Sequence, residues 1–311
     1  EDGPSGETKT LQREGRRWRA ALAFDELWNR EGMTDLHRAR LTACAGQGPG
    51  ASALLADPSA LQGRVQSADL YRATVRRFLG IPPPSLTWLL HCGACGQAFG
   101  TDSADARAAH LAGCNAALQS DSGRSVLSYH FVHAALKAAV RKIFHESGIF
   151  DDVDVETEGL LPESDERPGD VVGFGFSDAL QVTAVDVTVV HIQAPSYCQA
   201  AGQSPGKHVA AAEARKRAQY DIKCREQGIQ FVPFAVDDFG HIGDAGQALL
   251  EQLALRAATR SSTDFTEGSS VSDRVAYWLR SWRARVAWAV HEGMYHTITR
   301  RCQASRPTDA A

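Results

Sequence analysis

The stretch VTAVDVTVV, residues 182–190, narrows the fold more than any other in the chain. Seven of its nine residues are valine or threonine. Such β-branched side chains lose rotamer freedom in a helix and pack well on a pleated surface, so the stretch reads as a well-covered strand. At its centre sits Asp186. A carboxylate among such neighbours is costly unless it has a partner. Under the two-residue period of a strand, Ala184, Asp186, Thr188 and Val190 share one face. The strand pattern extends over 180–191 and forms the second arm of a hairpin, with 171–176 as the first arm and the turn near 177–178. Asp170 stands just before the first arm, in Arg167-Pro168-Gly169-Asp170. Two acids bracketing a hairpin can converge on one hard cation such as Mg²⁺. The competing reading makes Asp170 a turn residue after Pro168 and Asp186 an edge-strand acid satisfied locally.

Around the hairpin, helix and strand patterns alternate. Val132, Leu136, Ala139, Val140 and Ile143 fall on one helical face, which predicts an amphipathic helix over about 127–147. Residues 153–158 alternate as VDVETE and predict a short strand. A Gly/Pro/Ser-rich loop is expected over 194–206, a helix over 207–227 ending at Gly228, and an apolar, central strand over 229–236. Helices follow at 244–258 and 271–299. The last carries Val271, Val275, Trp278, Trp282, Val286 and Ala289 on one line, with Arg274, Arg280, Arg283 and Arg285 off it. Its tryptophans fit either a core or a docking face. Upstream, 1–10 reads as disordered, 11–43 as helical, 44–63 as a Gly/Ala/Pro-rich connection, and 66–79 as a helix that Pro82, Pro83 and Pro84 stop. The division expected is a helical region at 11–90, a Cys/His module at 91–124, an α/β sandwich core at 125–258, a helical extension at 259–300 and a disordered tail at 301–311.

The 311 residues, 43% of them hydrophobic, suffice for one large domain or two ordinary ones. A formal charge of −4 argues against a generally basic nucleic-acid coat and leaves room for a local basic patch. No apolar run approaches the roughly 20 residues needed to span a bilayer, and no signal peptide is recognisable; no membrane partner is expected. The chain opens with Glu1 rather than Met, which fits a piece of a longer polypeptide.

Seven cysteines are present, an odd number. Cys44, Cys198, Cys224 and Cys302 are scattered, whereas the other three cluster as Cys92-x2-Cys95-x14-His110-x3-Cys114. This suits a reduced compartment with one metal site better than a disulfide framework. Two thiolates two residues apart can hold one ion from a tight turn, which Gly93 and Gly96 permit. His110 and Cys114 fall on one helical face. Four N/S ligands suit a structural, tetrahedral zinc with no open position. Buried free cysteines beside a chance histidine are the competing reading, and His91 is a spare ligand. Such a site is either a scaffold or a contact for nucleic acid.

A cation held by Asp170 and Asp186 would polarise a phosphate and acidify a water. Metal-dependent nuclease cores of this kind usually place a lysine two residues after the second acid, where this chain has Thr188. The helix at 207–227 offers a substitute. At 100° per residue, Val209, Ala212, Tyr220 and Cys224 make an apolar stripe with Glu213 and Lys216 inside it. Lys223 lies at its edge, and Arg215 and Arg217 point elsewhere. Lys216 and Tyr220 are neighbours at i, i+4. Lys216 either snorkels to the surface or acts electrostatically, the latter if this helix packs on the sheet face carrying Asp186.

Taken together, the motifs resemble the C-terminal part of site-specific non-LTR retrotransposon proteins, those with a Cys-Cys-His-Cys knuckle followed by a restriction-like endonuclease. LTACAGQGPGASALLADP and ADLYRATVRRFLGIPPP are similar to the stretch between reverse transcriptase and knuckle in relatives of trypanosomatid spliced-leader elements. SYHFVHAALKAAVRKIF resembles the family's His-containing first nuclease helix. VDVETEGLL, RPGD, TAVDVTVVH, the EARKRAQY helix and GIQFVPFAVDDFG then follow in order, so the resemblance spans roughly 35–258. It implies a PD-(D/E)xK restriction-endonuclease-like core, with Asp170 and Asp186 as magnesium ligands. It further implies a lysine that has moved to the following helix, where Lys216 matches best and Tyr220 accompanies it. Glu158 is the candidate for an upstream acid. It implies structural zinc at the knuckle, a nuclear location, DNA as partner with the element's RNA as a second, and a reverse transcriptase upstream on the same polypeptide. In that family this domain nicks target DNA and the new 3′ end primes reverse transcription.

Two departures stand out. Gly169 interrupts the family's Arg/Lys-Pro-Asp, and the interval from Cys95 to His110 exceeds that of the shortest knuckles. No reverse transcriptase is present, and FAVDD at 234–238 is not a polymerase aspartate pair, because its aromatic is one residue too far away. The chain is therefore expected to be a piece of an element's protein or a host protein derived from one. A Mg²⁺-dependent endonuclease is the leading expectation, with Arg215, Arg217 and the arginines of the last helix on phosphates. The alternatives are an inactive nuclease-fold module that binds nucleic acid or protein, and a structural subunit of a larger particle.

Overall fold

The computed structural model describes residues 22–45, 67–82, 86, 89–114, 116–119, 125–127, 129–162, 166–175, 182–194, 197–204, 206–260 and 269–304. Expectations for 1–10, 46–63, the 177–178 turn and 305–311 lie outside the described residues. Among the described residues the strands are β1 (Ala117–Gln119), β2 (Ser125–Leu127), β3 (Asp152–Val155), β4 (Val171–Phe174), β5 (Val182–Val190) and β6 (Ile229–Asp237). The helices with named bounds are α1 (Asp35–Ala45), α2 (Ala68–Leu79), α3 (Ala104–Gly113), α4 (Tyr129–Ser147), α5 (Cys198–Gln203), α6 (Lys207–Glu226), α7 (Asp244–Arg260) and α8 (Val271–Ala304).

The architecture is mixed α/β. β1 and β2 form a separate two-stranded ladder, and the main sheet runs β3-β4-β5-β6. β3–β4 and β4–β5 are antiparallel, so 171–174 and 182–190 make the expected hairpin. β5 and β6 are parallel, in register from Val182↔Ile229 to Val190↔Asp237. A parallel pair needs a crossover connection, and α6 is part of it.

Period-two alternation sends the two faces of the sheet into different layers. Val171, Val185, Val187, Val232, Phe234 and Val236 pack with α4, α7 and α8 in the main core. Val172, Ala184, Ile229 and Phe231 pack on the other face with Tyr220 and Cys224 of α6. Asp186 shares the Ala184 face by strand period, so it is presented to α6. Trp278 and Trp282 are core residues, the latter fully buried. Their helix is tied to α4 through Glu146, which accepts a hydrogen bond from Trp282 Nε1 at 3.2 Å and pairs with Arg285 at 2.7 Å.

Several expectations change. β6 is an edge strand of the described sheet, not a central one. Its apolar run reflects burial on both faces, by α6 and by α7 with α8, and an apolar run does not report the number of paired neighbours. Pro233, which has no N–H to give, is at home on an edge. β3 stops at Val155 because Glu156 adopts a left-handed φ of 53°, uncommon for a residue with a side chain. The region read as a loop over 194–206 contains α5. α8 runs to Ala304, so residues 301–304 belong to a helix and not to a tail. Its end is held because the Arg301 side chain, fully buried, donates to the carbonyls of Leu111 and Cys114.

α4 and α8 cross closely at Gly293. A Cβ there would lie 2.4 Å from Val132 Cα and 2.8 Å from Val132 N. Both are backbone atoms of a packed helix and cannot swing aside. Gly293→Ala is expected to destabilise the fold by about 2 kcal/mol, the scale of overpacking a tight core. Urea unfolding should show this as a lower midpoint with an unchanged slope.

Candidate functional site

Two constellations carry chemistry. The first is the knuckle. Cys92 and Cys95 flank a turn in which Gly96 N–H donates to Cys92 O at 2.8 Å and Gly96 takes a φ of 73°. His110 and Cys114 come from α3 and its C-cap, and α3 begins at a Ser103 cap that accepts Ala106 N–H. The ligand atoms of Cys92, Cys95, His110 and Cys114 all lie within 4.8 Å of one another, and this is the only such group of three or more found among the described residues. Cys92 Sγ lies 3.9 Å from Cys114 Sγ, and Cys95 Sγ lies 3.3 Å from His110 Nε2. Around a tetrahedral ion with metal–sulfur bonds of about 2.3 Å and metal–nitrogen bonds of about 2.0 Å, ligand atoms stand roughly 3.5–3.8 Å apart. The spacing therefore suits a tetrahedral ion, and the cluster can hold a metal such as zinc. Burial pushes the Cys92 thiol up to about 11, so binding would release its proton. His91 is outside the group; its backbone bridges to Ala98 instead. Arg301 locks the module to α8, and Leu89, Phe99, Leu111 and Cys302 fill the space between them.

The second constellation lies on the sheet. β4 begins at Val171, opposite Val185, and Asp170 precedes it. The Asp170 N–H donates to Val185 O at 2.8 Å. One Asp170 carboxylate oxygen then continues the ladder by accepting Val187 N–H at 2.8 Å, and also meets His133 Nε2 at 3.1 Å. Gly169 makes this approach possible: a Cβ there would lie 3.0 Å from Ala184 Cβ and 3.2 Å from Val185 N. The residue that interrupts Arg-Pro-Asp thus lets the chain press against β5 so that Asp170 reaches past it.

Asp186 is 7% exposed. Lys216, from α6, places its Nζ 2.9 Å from one Asp186 oxygen and 3.2 Å from the other. The same ammonium lies 5.7 Å from the ring centroid of Tyr220, which packs against Phe231. Of the two charged residues in the α6 stripe, Lys216 goes to Asp186. Glu213 instead accepts Ala245 N–H at 3.1 Å at the start of α7, where an anion is favoured. Thr188, where the lysine was missing, has its hydroxyl 3.5 Å from Asp186.

The electrostatics separate the two acids. Burial pushes the Asp186 carboxyl up, against the pull of Lys216. Burial acts on Asp170 too, but the His133 hydrogen bond, its charge and the Val187 N–H outweigh it and hold Asp170 below the usual range. The bond to Asp170 in turn raises His133. Two neighbouring acids with divergent protonation are a recurring feature of reactive sites.

Sequence reasoning noted a His-containing helix through the resemblance but singled out neither His133 nor Lys137 as a site residue. They stand one helical turn apart on α4, flanking the buried Val132, Leu136 and Val140 line, and that polar shoulder was the available signal. Lys137 pairs with Glu156, whose carboxyl it holds down. Glu158 is not drawn to the acids; it forms an exposed pair with Arg167. The acid nearer Asp170 is Glu156, whose N–H donates to Asp170 O at 3.1 Å. Two arginines expected on phosphates are engaged internally: Arg285 with Glu146, and Arg283 with Gln247 and Glu251. In FAVDD, Asp237 accepts the N–H groups of Phe239 and His241, and Asp238 is fully buried against Arg77.

Compared with protein-family models, curated proteins and solved structures, the chain matches none.

Two measurements follow from this geometry. Metal analysis of the wild type should find about one zinc per chain, lost in Cys92→Ser/Cys95→Ser; unchanged metal content would refute the site. The His133–Asp170 pair should stabilise the fold most at mildly acid pH. Asp170 is depressed, so its share disappears as pH falls through its folded pKa; His133 is raised, so its share disappears as pH rises through its folded pKa. Melting temperatures of wild type and His133→Asn in chelator should differ most between those limits and converge at alkaline pH.

Proposed function

We propose that the chain is a metal-dependent DNA endonuclease with a PD-(D/E)xK restriction-like core. It would be the target-nicking part of a non-LTR retrotransposon protein or of a host protein derived from one. The observation that carries this reading is the meeting of Lys216 with Asp186, from a helix thirty residues further along the chain. A buried carboxylate, a second carboxylate on the adjoining strand and an ammonium group are the parts a phosphodiesterase needs. The lysine's position in space matters, and its position in sequence does not.

The donor set fits a hard cation. Asp170 and Asp186 offer only oxygen, as Mg²⁺ prefers. The raised Asp186 carboxyl marks a buried charge that Lys216 leaves incompletely compensated. A divalent ion there supplies Lewis acidity toward a phosphate and a more acidic water. The chain's own groups do the rest. His133 holds Asp170 in one orientation. Lys216 offers an ammonium to the charge that builds on the phosphate as water attacks phosphorus and the bridging P–O bond breaks. Tyr220 walls the lysine on its apolar side. DNA is the proposed partner, a nuclear location accompanies it, and structural zinc at the knuckle serves as scaffold.

One observation favours a second reading, a nuclease fold retained as a binding module. Each acid already has protein partners, Asp186 with Lys216 and Asp170 with His133 and Val187.

Supercoiled plasmid with Mg²⁺ separates the two. The wild type should nick, Asp186→Ala should fall to background, and Lys216→Ala should lose about a hundredfold or more, the scale of removing one charge-stabilising donor. Equal nicking by wild type and Asp186→Ala would sink the assignment. Independently of turnover, Mg²⁺ should raise the melting temperature of the wild type and not of Asp186→Ala.

A further inference from the structure

α2, the C-terminal half of α8 and the knuckle helix α3 enclose a cleft of about 460 Å³. None of the acids, lysine or histidine of the proposed nuclease site lines it. That volume is within the range of small-molecule sites. Its cationic lining is Arg40, Arg72, Arg76 and Arg77, against a single acid, Asp69. In a chain of formal charge −4 this is a local concentration of positive charge. Beside them the lining carries apolar side chains, Ile81 and Pro82 after α2 and Met294, Tyr295 and Ile298 on α8, with His291, Thr299 and Gln303 as polar neighbours on α8.

The four arginines do not have the same work. Arg77 is tied to the fully buried Asp238 at 2.6 Å and crosses the Phe239 ring at 4.1 Å. It is a structural strut. Among the described residues Arg72 has only an exposed pair with Asp69, a contact of small net value. Arg76 is half-buried, and its guanidinium has no ion-pair or hydrogen-bond partner among the described residues. Arg40 is set into the cleft by Gly80: a Cβ on Gly80 would fall on the Arg40 guanidinium. Gly80 has a φ of 69°, so glycine is suited there twice over.

The carbonyls at the end of α2 would normally repel an anion. Here they are occupied, because Gly80 N–H donates to Arg77 O at 3.2 Å and Ile81 N–H to Arg76 O at 2.8 Å. Guanidinium forks match phosphate oxygens and bind them bidentately. A flat aromatic base suits a wall of tyrosine and aliphatic side chains.

We infer that this cleft binds a nucleotide, its phosphate on Arg40, Arg72 and Arg76 and its base against the Tyr295–Ile298 wall. The nucleotide is either free or the terminal residue of a strand. The inference is independent of the nuclease reading.

The test uses the full chain and two probes: fluorescein-labelled oligothymidylate bearing a 5′-phosphate, read by anisotropy, and adenosine 5′-monophosphate as competitor. Saturable binding is expected, with adenosine a poor competitor. Competition by the monophosphate at concentrations like those of the strand assigns the site to free nucleotide. Tight binding of the 5′-phosphorylated strand alone assigns it to a strand end. Arg76→Ala should weaken binding about tenfold and Arg76→Lys should recover part of that, with unchanged melting temperatures. Arg72→Ala should weaken it less. Absence of saturable binding, or equal binding by wild type, Arg76→Ala and Arg72→Ala, overturns the inference.

Discussion

A carboxylate inside a sheet is costly unless a partner comes to it. Asp186 imposes that condition at the middle of the longest β-branched run, and Lys216 meets it at 2.9 Å. The topology explains where the cation comes from. β5 and β6 are parallel, so the chain between them must cross from one end of the sheet to the other. α6 is the helix of that crossing and lies over the Ala184–Asp186 face. Any long cationic side chain on its inward stripe is a candidate partner, which is why the lysine need not occupy position 188. Removing either member would leave the other uncompensated in a partly dry setting, a far larger loss than the modest net value of the intact pair.

The same principle recurs at the other buried charges, with different solutions. Asp238 holds Arg77 and so joins α2 to the end of β6. Glu213 finds the N-terminus of α7, and Glu146 ties α4 to Trp282 and Arg285 of α8. Arg301 turns to the carbonyls of Leu111 and Cys114. Each of these joins elements distant in sequence, so the polar interior acts as a set of register pins for layers whose apolar faces alone would tolerate sliding. The knuckle is part of this scheme: its ligands sit on a short turn and a short helix, and Arg301 with Cys302 fastens them to the final turns of α8.

Much of the site was legible without coordinates. The Cys/His spacing set a ligand group because two of its intervals, x2 and x3, are local geometry. The apolar stripe of α6 showed Lys216 on an inward face because helical period is local too. What failed were inferences about neighbours. An apolar strand at 229–236 was read as central, whereas it lies at the edge of the described sheet and is buried by helices. Glu158 was the upstream acid that the resemblance suggested, whereas a left-handed φ at Glu156 goes with a Glu156–Lys137 pair, and Glu158 pairs with Arg167. The resemblance marked a His-containing helix, but the partner of His133 was not legible, because it is Asp170, thirty-seven residues away.

The amino-acid order by itself determined the hairpin, the four metal-type ligands and the face on which Lys216 lies, since all three follow from periodicities of two, three or four residues. Only the tertiary structure decided that Asp170 completes the β5 ladder through Val187, that Gly169 packs tightly against Ala184 and Val185, and that Arg40 joins the three arginines of α2 in one cleft. Those depend on how far apart two backbones come to rest. That distance is set by the packing of whole layers, and no short stretch of sequence encodes it.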